Sequence, residues 1–354
     1  LFLQLKLLIT QTTIFLMSDF RSDTVTKPTK LMLEAISSAK VGDDEYSEDP
    51  EVNTLQDYCA DLFGMEAGLF VTSGQMGNQI AISILTNPGD EVLCSEGAHI
   101  LNYEKSAAAQ LSGVQIKQIK SNNGMFSFEA IDDAILESEY HLPSISLLSW
   151  ENTHLASGGS ILDHNSFISI SKNIKEKGLN IHLDGARVWH SILAKNINPR
   201  EIGKAVDSLT FCFSKALGAP IGSMLLGTKE FVSNARNIRK VRGGGMRQVG
   251  VLAGAAKYAL ETRDKLLDDH VKAEKIASFI EGLAHPSIEK VIYMETNMVF
   301  LYFDTKENAT IFVESLNKQK IQLGIIKPKI VRIVTHLDIG QKDIDKLFSF
   351  LSKK

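Results

Sequence analysis

The sequence has few of the features that mark secreted, membrane-spanning or nucleic-acid-binding proteins. It contains only three cysteines among 354 residues, without the spacing of a metal site, and such usage is typical of a reducing, intracellular setting. No apolar run reaches the length of a membrane-spanning helix. The net charge of −4 argues against binding to a nucleic-acid backbone, which normally requires a basic surface. We therefore expect a cytoplasmic protein that acts on neither membranes nor nucleic acids.

Residues 1–16 differ in composition from the rest of the chain. They are mostly apolar, with one lysine and no acidic residue, yet no small-residue cleavage site of a signal peptide follows them. Met17 and the residues after it look like a natural start. We interpret residues 1–16 as a non-native leader and predict the fold from residue 17 onward.

Short apolar runs alternate with amphipathic stretches between residues 66 and 227. Helices are predicted over residues 126–138 and 165–177, the second with Asp163 near its start and Gly178 at its end. This alternation predicts an α/β fold with a mostly parallel, doubly wound sheet, on which ligands bind at the carboxyl ends of the strands. The predicted strands are Gly68–Val71, Glu91–Ser95, Val114–Ile119, Ser144–Trp150, Asn180–Asp184, Ser208–Phe213 and Ser223–Leu226.

The pattern changes after about residue 282. One long helical stretch covers about residues 250–282, and the rest of the chain reads as a compact α+β unit. We predict an N-terminal arm and a large domain over residues 17–265 and a small C-terminal domain over residues 266–354. The elements predicted for the small domain are strands at 288–294, 298–303 and 330–335 and helices at 306–320 and 341–352.

One lysine lies in a run of small and apolar residues, FCFSKALGAP. Lys215 directly follows a predicted buried strand, and Asp184 ends another strand about thirty residues earlier, the length of one strand–crossover–strand unit. A carboxylate and an amine are therefore expected at two strand ends of one sheet. Burial among apolar groups lowers the pKa of a lysine and so favours the unprotonated, nucleophilic amine.

Other polar residues follow predicted strands in the same way. Ser73, Gly74 and Gln75 open a helix, and the backbone N–H groups of a helix N-terminus bind anions such as phosphate. His99 and His154 each lie in a loop after a strand, where a histidine is either functional or simply bonded to the backbone. The glycine spacing of a dinucleotide site is absent, which argues against a nucleotide-dependent oxidoreductase.

A lysine, an acid and a phosphate site together point to pyridoxal 5′-phosphate. This cofactor requires an amine for its aldehyde, an acid at its pyridinium nitrogen and a cup for its phosphate. No metal-ligand set is predicted. A non-enzymatic binding protein that has kept the same fold is the alternative from another class.

From Met17 to the C-terminal helix, the chain resembles the L-threonine aldolases, pyridoxal-phosphate enzymes of fold type I. The resemblance implies a lyase that cleaves L-threonine or L-allo-threonine to glycine and acetaldehyde. β-Elimination or racemisation of a small amino acid on the same scaffold is the alternative reaction. The motifs that carry the resemblance, in order, are DFRSDTVTKPT, VGDDEYSEDPEVNTLQ, SGQMGNQ, AHI, ENTH, HLDGAR, SKALGAPIGS, RKVRGGGMRQ and IVRIVTHLD.

The resemblance also implies roles around the cofactor. Lys215 would form the Schiff base, Asp184 would pair with the pyridinium nitrogen, and His99 would stack on the ring. Ser73, Gly74 and Gln75 would hold the phosphate, although many relatives have threonine at the position of Gln75. Lys240 would lie near the phosphate, of its own or of a neighbouring subunit.

For the substrate, the resemblance implies a carboxylate clamp made of Ser22, Arg187 and Arg332. The planar fork of an arginine binds a carboxylate through two hydrogen bonds. The base that takes the β-hydroxyl proton is His99, His154 or a water held between them. The resemblance further implies a homodimer or a dimer of dimers with shared active sites, and a place in threonine catabolism and glycine formation.

Overall fold

The computed structural model describes residues 17–136 and 140–353. The predicted leader, residues 1–16, lies outside the described residues, and so does Ser138, the predicted end of one helix. Within the described range the chain forms two larger β-sheets, each with its own apolar core.

The strands are numbered in chain order. They are β1 (Ser18–Asp19), β2 (Ala67–Val71), β3 (Glu91–Ser95), β4 (Gln115–Ile119), β5 (Ile145–Glu151), β6 (Asn180–Asp184), β7 (Ser208–Cys212), β8 (Ser223–Gly227), β9 (Ile288–Tyr293), β10 (Met298–Phe303), β11 (Ile321–Gln322), β12 (Gly324–Lys327) and β13 (Ile330–Val334).

The α-helices pack on both sheets: the last three contribute to the core of the small sheet, and most of the others pack on the large sheet. They span Lys30–Ser38, Pro50–Phe63, Gly74–Leu85, His99–Asn102, Ala107–Ser112, Phe128–Leu136, His164–Glu176, Val188–Lys195, Pro199–Ala205, Lys229–Val241, Gly250–Glu261, Leu266–Gly282, Lys306–Asn317 and Gln341–Leu351.

The large sheet has the strand order β2-β8-β7-β6-β5-β3-β4. Strands β4, β3, β5, β6 and β7 are parallel, and β8 runs antiparallel to both of its neighbours. Every residue of β3, β7 and β8 is buried, as expected for strands covered by helices on both faces. The predicted α/β class and mostly parallel sheet are confirmed, and the carboxyl ends of β3, β5, β6 and β7 meet at one edge.

The small sheet is antiparallel, in the order β12-β13-β10-β9. The long helical stretch predicted over residues 250–282 is present as two helices, Gly250–Glu261 and Leu266–Gly282, separated by the short 3-10 turn Arg263–Lys265. The Thr262 hydroxyl donates to the carbonyls of Tyr258 and Ala259, a local bond that competes with helix propagation. The predicted domain boundary falls in this break, and the division into two domains stays a prediction.

The N-terminal arm was predicted without any strand, and here the structure adds one. β1 pairs with β11 in parallel, and the carbonyl of Phe20 accepts the backbone N–H of Val334 at 2.8 Å. Phe20 is fully buried in the core of the small sheet. The arm is thereby fixed along the small sheet just before it reaches Ser22 and Asp23.

Candidate active site

Asp184 is the last residue of β6, at the carboxyl edge of the large sheet. Its Oδ2 accepts the Asn78 side-chain amide at 2.8 Å, and its Oδ1 accepts the backbone N–H of Ala186 at 3.0 Å. Asn78 can reach Asp184 because its helix, Gly74–Leu85, packs closely on the sheet. A Cβ on Gly77 would lie 2.7 Å from the Thr210 side chain, so the close approach requires glycine there.

Lys215 follows β7 in a tight loop. Its carbonyl accepts the backbone N–H of Gly218 at 2.8 Å, and the N–H of Ala219 donates to Phe213. Gly218 has a φ of 85°, a conformation that glycine adopts without strain. Within the described part of the chain, the Lys215 amine makes no hydrogen bond or ion pair, so it is available for chemistry.

His99 opens a four-residue helix after β3. Its Nδ1 lies 2.8 Å from Oε1 of Glu104, and its backbone N–H donates to Glu151. Burial alone would lower the pKa of His99. The hydrogen bond to Glu104 and the charge of Asp184 outweigh it, so the pKa is raised above its usual value. The imidazole keeps 28% of its side-chain surface exposed, enough for contact with a ligand.

His154 lies in a different environment. It is 1% exposed, and its Nε2 and Nδ1 lie 3.0 and 2.9 Å from the hydroxyls of Ser95 and Ser157. Burial lowers the pKa of His154 to about 4. Because each ring nitrogen already contacts a hydroxyl group, neither is left for a ligand. None of the described hydrogen bonds joins this ring to Lys215, Asp184 or His99.

Ser73, Gly74 and Gln75 lie together at the N-terminus of the helix Gly74–Leu85. The Ser73 hydroxyl caps this helix by accepting the N–H of Met76 at 3.2 Å. A Cβ on Gly74 would lie 2.7 Å from Sγ of Cys212, so the helix N-terminus sits against the end of β7, three residues before Lys215. The Gln75 amide reaches the Glu104 carbonyl at 3.4 Å.

Arg187 forms a buried ion pair that the sequence did not predict. Its Nε and Nη2 donate to the two carboxylate oxygens of Asp23 at 2.7 and 2.6 Å. Burial would favour a neutral acid, but the guanidinium keeps the pKa of Asp23 well below its usual range. Asp23 was missed although it stands next to Ser22 in RSDTVT, because nothing in a sequence pairs it with a residue 164 positions away.

Arg332 lies on β13, close enough to Arg187 and Asp23 for their charges to act on it. Its Nη2 donates to the carbonyl of Arg21 at 2.8 Å, and its Nε is buried with no hydrogen-bond partner among the described residues. Burial and the charge of Arg187 lower the pKa of Arg332. Ser22 currently acts as a cap, since its Oγ accepts the N–H and the hydroxyl of Thr24.

Lys240 lies apart from this group on the surface of the described chain. It is exposed, and its Nζ donates to Glu45 at 2.5 Å. The structure thus brings Lys215, Asp184 and His99 to one sheet edge, with Arg187 and Arg332 alongside, but it does not join Lys240 to them.

Residues 19–304 match the family described as beta-eliminating lyases. The chain belongs to this family. It is 37% identical to low-specificity L-threonine aldolase 1 of Arabidopsis thaliana, over 92% of this chain and 93% of that protein. It is also 37% identical to the low-specificity L-threonine aldolase of Escherichia coli strain K12, over 93% and 96%.

Solved structures of similar fold include the threonine aldolase of Leishmania major. It superposes on the lyase with a TM-score of 0.82 at 19% identity, over 95% of this chain and 99% of that chain. At this identity the likeness bears on the fold alone. The predicted fold type I of pyridoxal-phosphate enzymes is confirmed, as are the predictions of an enzyme and of a lyase.

The side chains of this lyase fit pyridoxal phosphate. Asp184 accepts one N–H on each oxygen, which leaves acceptor capacity for a protonated pyridine nitrogen. The Lys215 amine, the helix N-terminus at Gly74 and the buried Nε of Arg332 offer what the aldehyde, the phosphate and a substrate carboxylate require. Among the described residues, no helix combines the length and apolar character needed to cross a bilayer.

Two further acids of the site were missed. Glu104 is fully buried beside His99, and Glu151 is buried at the end of β5, where it accepts the N–H groups of His99 and Leu155. Burial, together with the charge of Asp184, raises the pKa of Glu151 to about 7. In the sequence, the acid of ENTH next to a strand end was the available signal for Glu151. Glu104 had no such signal.

Proposed function

We propose that this lyase is a pyridoxal-phosphate-dependent threonine aldolase that cleaves L-threonine and L-allo-threonine to glycine and acetaldehyde. The observation that carries the proposal is the 37% identity to two L-threonine aldolases over at least 92% of each chain. β-Elimination and racemisation, the alternative reactions, have no such support among these relatives.

Residues of the large sheet would hold the cofactor. Lys215 would bind its aldehyde, Asp184 would accept its pyridinium N–H, and the backbone at Ser73, Gly74 and Gln75 would bind its phosphate. His99 would lie over its ring. When bound, the cofactor supplies an electron sink for the substrate α-carbon.

The substrate carboxylate would meet two arginines. Asp23 accepts from Nε and Nη2 of Arg187, so Nη1 of Arg187 remains as a charged donor. The unpartnered Nε of Arg332 is a second one. Two guanidinium groups and one carboxylate leave a net positive charge, which favours an anionic substrate. Ser22 would add its hydroxyl beside Asp23. This clamp would orient the Cα–Cβ bond for cleavage.

A base must accept the β-hydroxyl proton while the Cα–Cβ bond breaks and the aldehyde forms. His99 suits this task better than His154, because one of its ring nitrogens is uncommitted and its hydrogen bond to Glu104 helps to raise its pKa, whereas burial lowers the pKa of His154 to about 4. A positioned general base contributes about 10²–10⁴-fold to a rate. We assign the step to Nε2 of His99 and assign His154 to the support of the loop.

The assembly and setting belong to the same proposal. We propose a homodimer or a dimer of dimers in which Lys240, exposed on its own chain, approaches the phosphate of the neighbouring subunit's cofactor. We also propose a cytoplasmic enzyme of threonine catabolism and glycine formation, with residues 17–265 and 266–354 as its two domains.

The proposal is tested with purified protein loaded with pyridoxal phosphate. L-Threonine and L-allo-threonine are supplied separately, and acetaldehyde is measured by coupled reduction to ethanol. Release of acetaldehyde and glycine in equal amounts from both is expected, and D-threonine serves as the stereochemical control. Bound cofactor without acetaldehyde would contradict the proposal. Ammonia with 2-oxobutyrate would identify β-elimination, and formation of D-allo-threonine from L-threonine would identify inversion at Cα, the racemisation alternative.

A further inference from the structure

Glu104 is a fully buried carboxylate with a complete set of partners. Its Oε1 lies 2.8 Å from Nδ1 of His99 and accepts the Asn78 amide at 2.9 Å. Its Oε2 accepts the Gln79 amide at 2.7 Å. A buried carboxylate is costly unless it is bonded in this way, so these partners stabilise a carboxylate beside His99.

The two carboxylates determine the orientation of Asn78. Its nitrogen donates to Asp184 and Glu104, which accept, so its oxygen faces the other way, 3.1 Å from Nε2 of His182. Burial lowers the pKa of His182 to about 4, so this ring is neutral. An amide oxygen only accepts, so the proton of this ring is assigned to Nε2, and Nδ1 lies 2.7 Å from the Ser208 hydroxyl.

The proton between Glu104 and His99 therefore belongs to the imidazole. Both amides that reach Glu104 are donors, which calls for a group that only accepts. An imidazole is also the stronger base of the pair, since free histidine and glutamate have pKa values of about 6.5 and 4.3. His99 then carries hydrogen on Nδ1, and the lone pair of its neutral form lies on Nε2.

We infer, on the basis of the proposed function, that Glu104 is the positioning residue of the reaction: its ionised carboxylate fixes the ring of His99 and holds the proton on Nδ1, so that Nε2 accepts the β-hydroxyl proton. In other enzymes, too, a buried carboxylate that accepts from Nδ1 holds a catalytic imidazole in one tautomer and orientation. Asn78 ties this carboxylate to Asp184, so one amide orients the group for the cofactor ring and the group for the substrate proton.

The charges around His99 agree with this assignment. Glu104 and Asp184 favour the protonated imidazole, whereas burial and the charge of Lys215 oppose it. Tyr103 lies beside the ring, with the centroids 5.5 Å apart, and Glu151 binds the backbone N–H of His99. Of these groups, Glu104 alone bonds a ring nitrogen of His99 among the described contacts.

Glu104→Gln removes the negative charge at this position and keeps the size and shape of the side chain. The Gln79 Oε1 is buried without a hydrogen-bond partner among the described residues. If Gln79 turns its amide over, that oxygen can accept the new N–H₂ while the remaining carbonyl still faces His99 and Asn78. The variant is therefore expected to fold with the ring in place but without the carboxylate charge.

Glu91→Gln is the matched control. Glu91 is also buried and accepts a glutamine amide, that of Gln115 at 2.8 Å. It lies at the opposite end of β3 from Ser95 and His99, away from the sheet edge that carries the site. Both variants replace a buried glutamate with glutamine, but only Glu104→Gln does so beside His99.

The decisive readout is the titration of His99 by NMR in histidine-labelled holoenzyme, with the resonance assigned through His99→Asn. In the native protein the ring nitrogen shifts should report hydrogen on Nδ1. Glu104→Gln should lower the pKa of His99, and Glu91→Gln should leave it unchanged. Hydrogen on Nε2 in the native protein, which needs no variant to observe, would overturn the inference. So would an unchanged titration in folded Glu104→Gln.

The kinetic readout is the pH profile of kcat/KM for L-threonine. A weaker base loses its proton at lower pH, so the acidic limb of Glu104→Gln should move to lower pH while the plateau falls about tenfold to a hundredfold. A lower plateau with an unmoved limb would indicate a structural role only and would overturn the inference. The NMR titration requires no turnover. Failure of the threonine assay would therefore be distinguishable from failure of the Glu104–His99 assignment.

Discussion

The two halves of the candidate site are assembled in different ways. The cofactor half consists of Ser73 to Gln75, His99, Asp184 and Lys215, all on the large sheet and its helices. The substrate half consists of Ser22, Asp23, Arg187 and Arg332, which come from the arm, the large sheet and the small sheet. The cofactor half is determined within one sheet, whereas the substrate half exists only while three parts of the chain keep their relative positions.

The largest effect is expected from Lys215→Ala. Without the amine, the cofactor loses its covalent attachment, and cleavage of L-threonine should fall to background. The measurements are the absorbance of bound cofactor and acetaldehyde release. Lys204→Ala, an exposed lysine outside the site, is the control and should behave as the native protein. Full turnover by Lys215→Ala would contradict the assignment of Lys215 as the residue that attaches the cofactor.

Asp23→Asn should damage the substrate half and spare the cofactor half. It leaves the buried guanidinium of Arg187 without its charge partner, a loss on the order of 3 kcal/mol, divided between stability and substrate binding. KM for L-threonine should rise more than tenfold while cofactor absorbance is retained. Asp19→Asn, on the same arm but in a more exposed pair with Arg21, should change KM little. Loss of the cofactor in Asp23→Asn would show that the halves are not separable.

Arg332→Lys is expected to have a smaller effect of the same kind. A lysine keeps the charge but cannot present two parallel donors to a carboxylate, so KM should rise about tenfold, equivalent to about 1.4 kcal/mol. Steady-state kinetics at saturating cofactor measure this. Arg200→Lys, whose partner Asp61 is exposed, serves as the control. An unchanged KM would remove Arg332 from the clamp.

Of these variants, His154→Gln should reduce cleavage of L-threonine least. Its main effect should be on how the free energy of unfolding depends on pH. Burial lowers the pKa of His154 from 6.5 to about 4, so the unfolded chain binds more protons between these values. The stability of the native protein should therefore fall as the pH drops from 6.5 toward 4, and His154→Gln should flatten this slope. Urea unfolding at several pH values measures this slope. The control is His164→Gln, which changes a half-buried histidine paired with the exposed Glu201. A loss of cleavage as complete as that of Lys215→Ala would instead make His154 catalytic.

The cofactor half was largely predictable from the sequence pattern. For the substrate half, the family resemblance named Ser22, Arg187 and Arg332 but not Asp23, the partner of Arg187. Asp184 and Lys215 follow buried strands, and strands that are apolar throughout are readily predicted. Parallel neighbours then place their ends together. The Asp23–Arg187 and Glu104–His99 pairs depend on how separate segments pack, which local periodicity does not encode. The break at Thr262 was missed for a local reason, since neither glycine nor proline marks it.

The arm has a mechanical consequence. Phe20 is buried in the core of the small sheet, and Asp23 is bonded to Arg187, which lies between β6 of the large sheet and the helix Val188–Lys195. Three residues of extended chain span at most about 11 Å, so the connection has little slack. A rotation of one sheet relative to the other stretches this tether and pulls directly on the guanidinium that would hold the substrate. If the two sheets rotate relative to each other, the position of Arg187 therefore changes with that rotation and not independently of it.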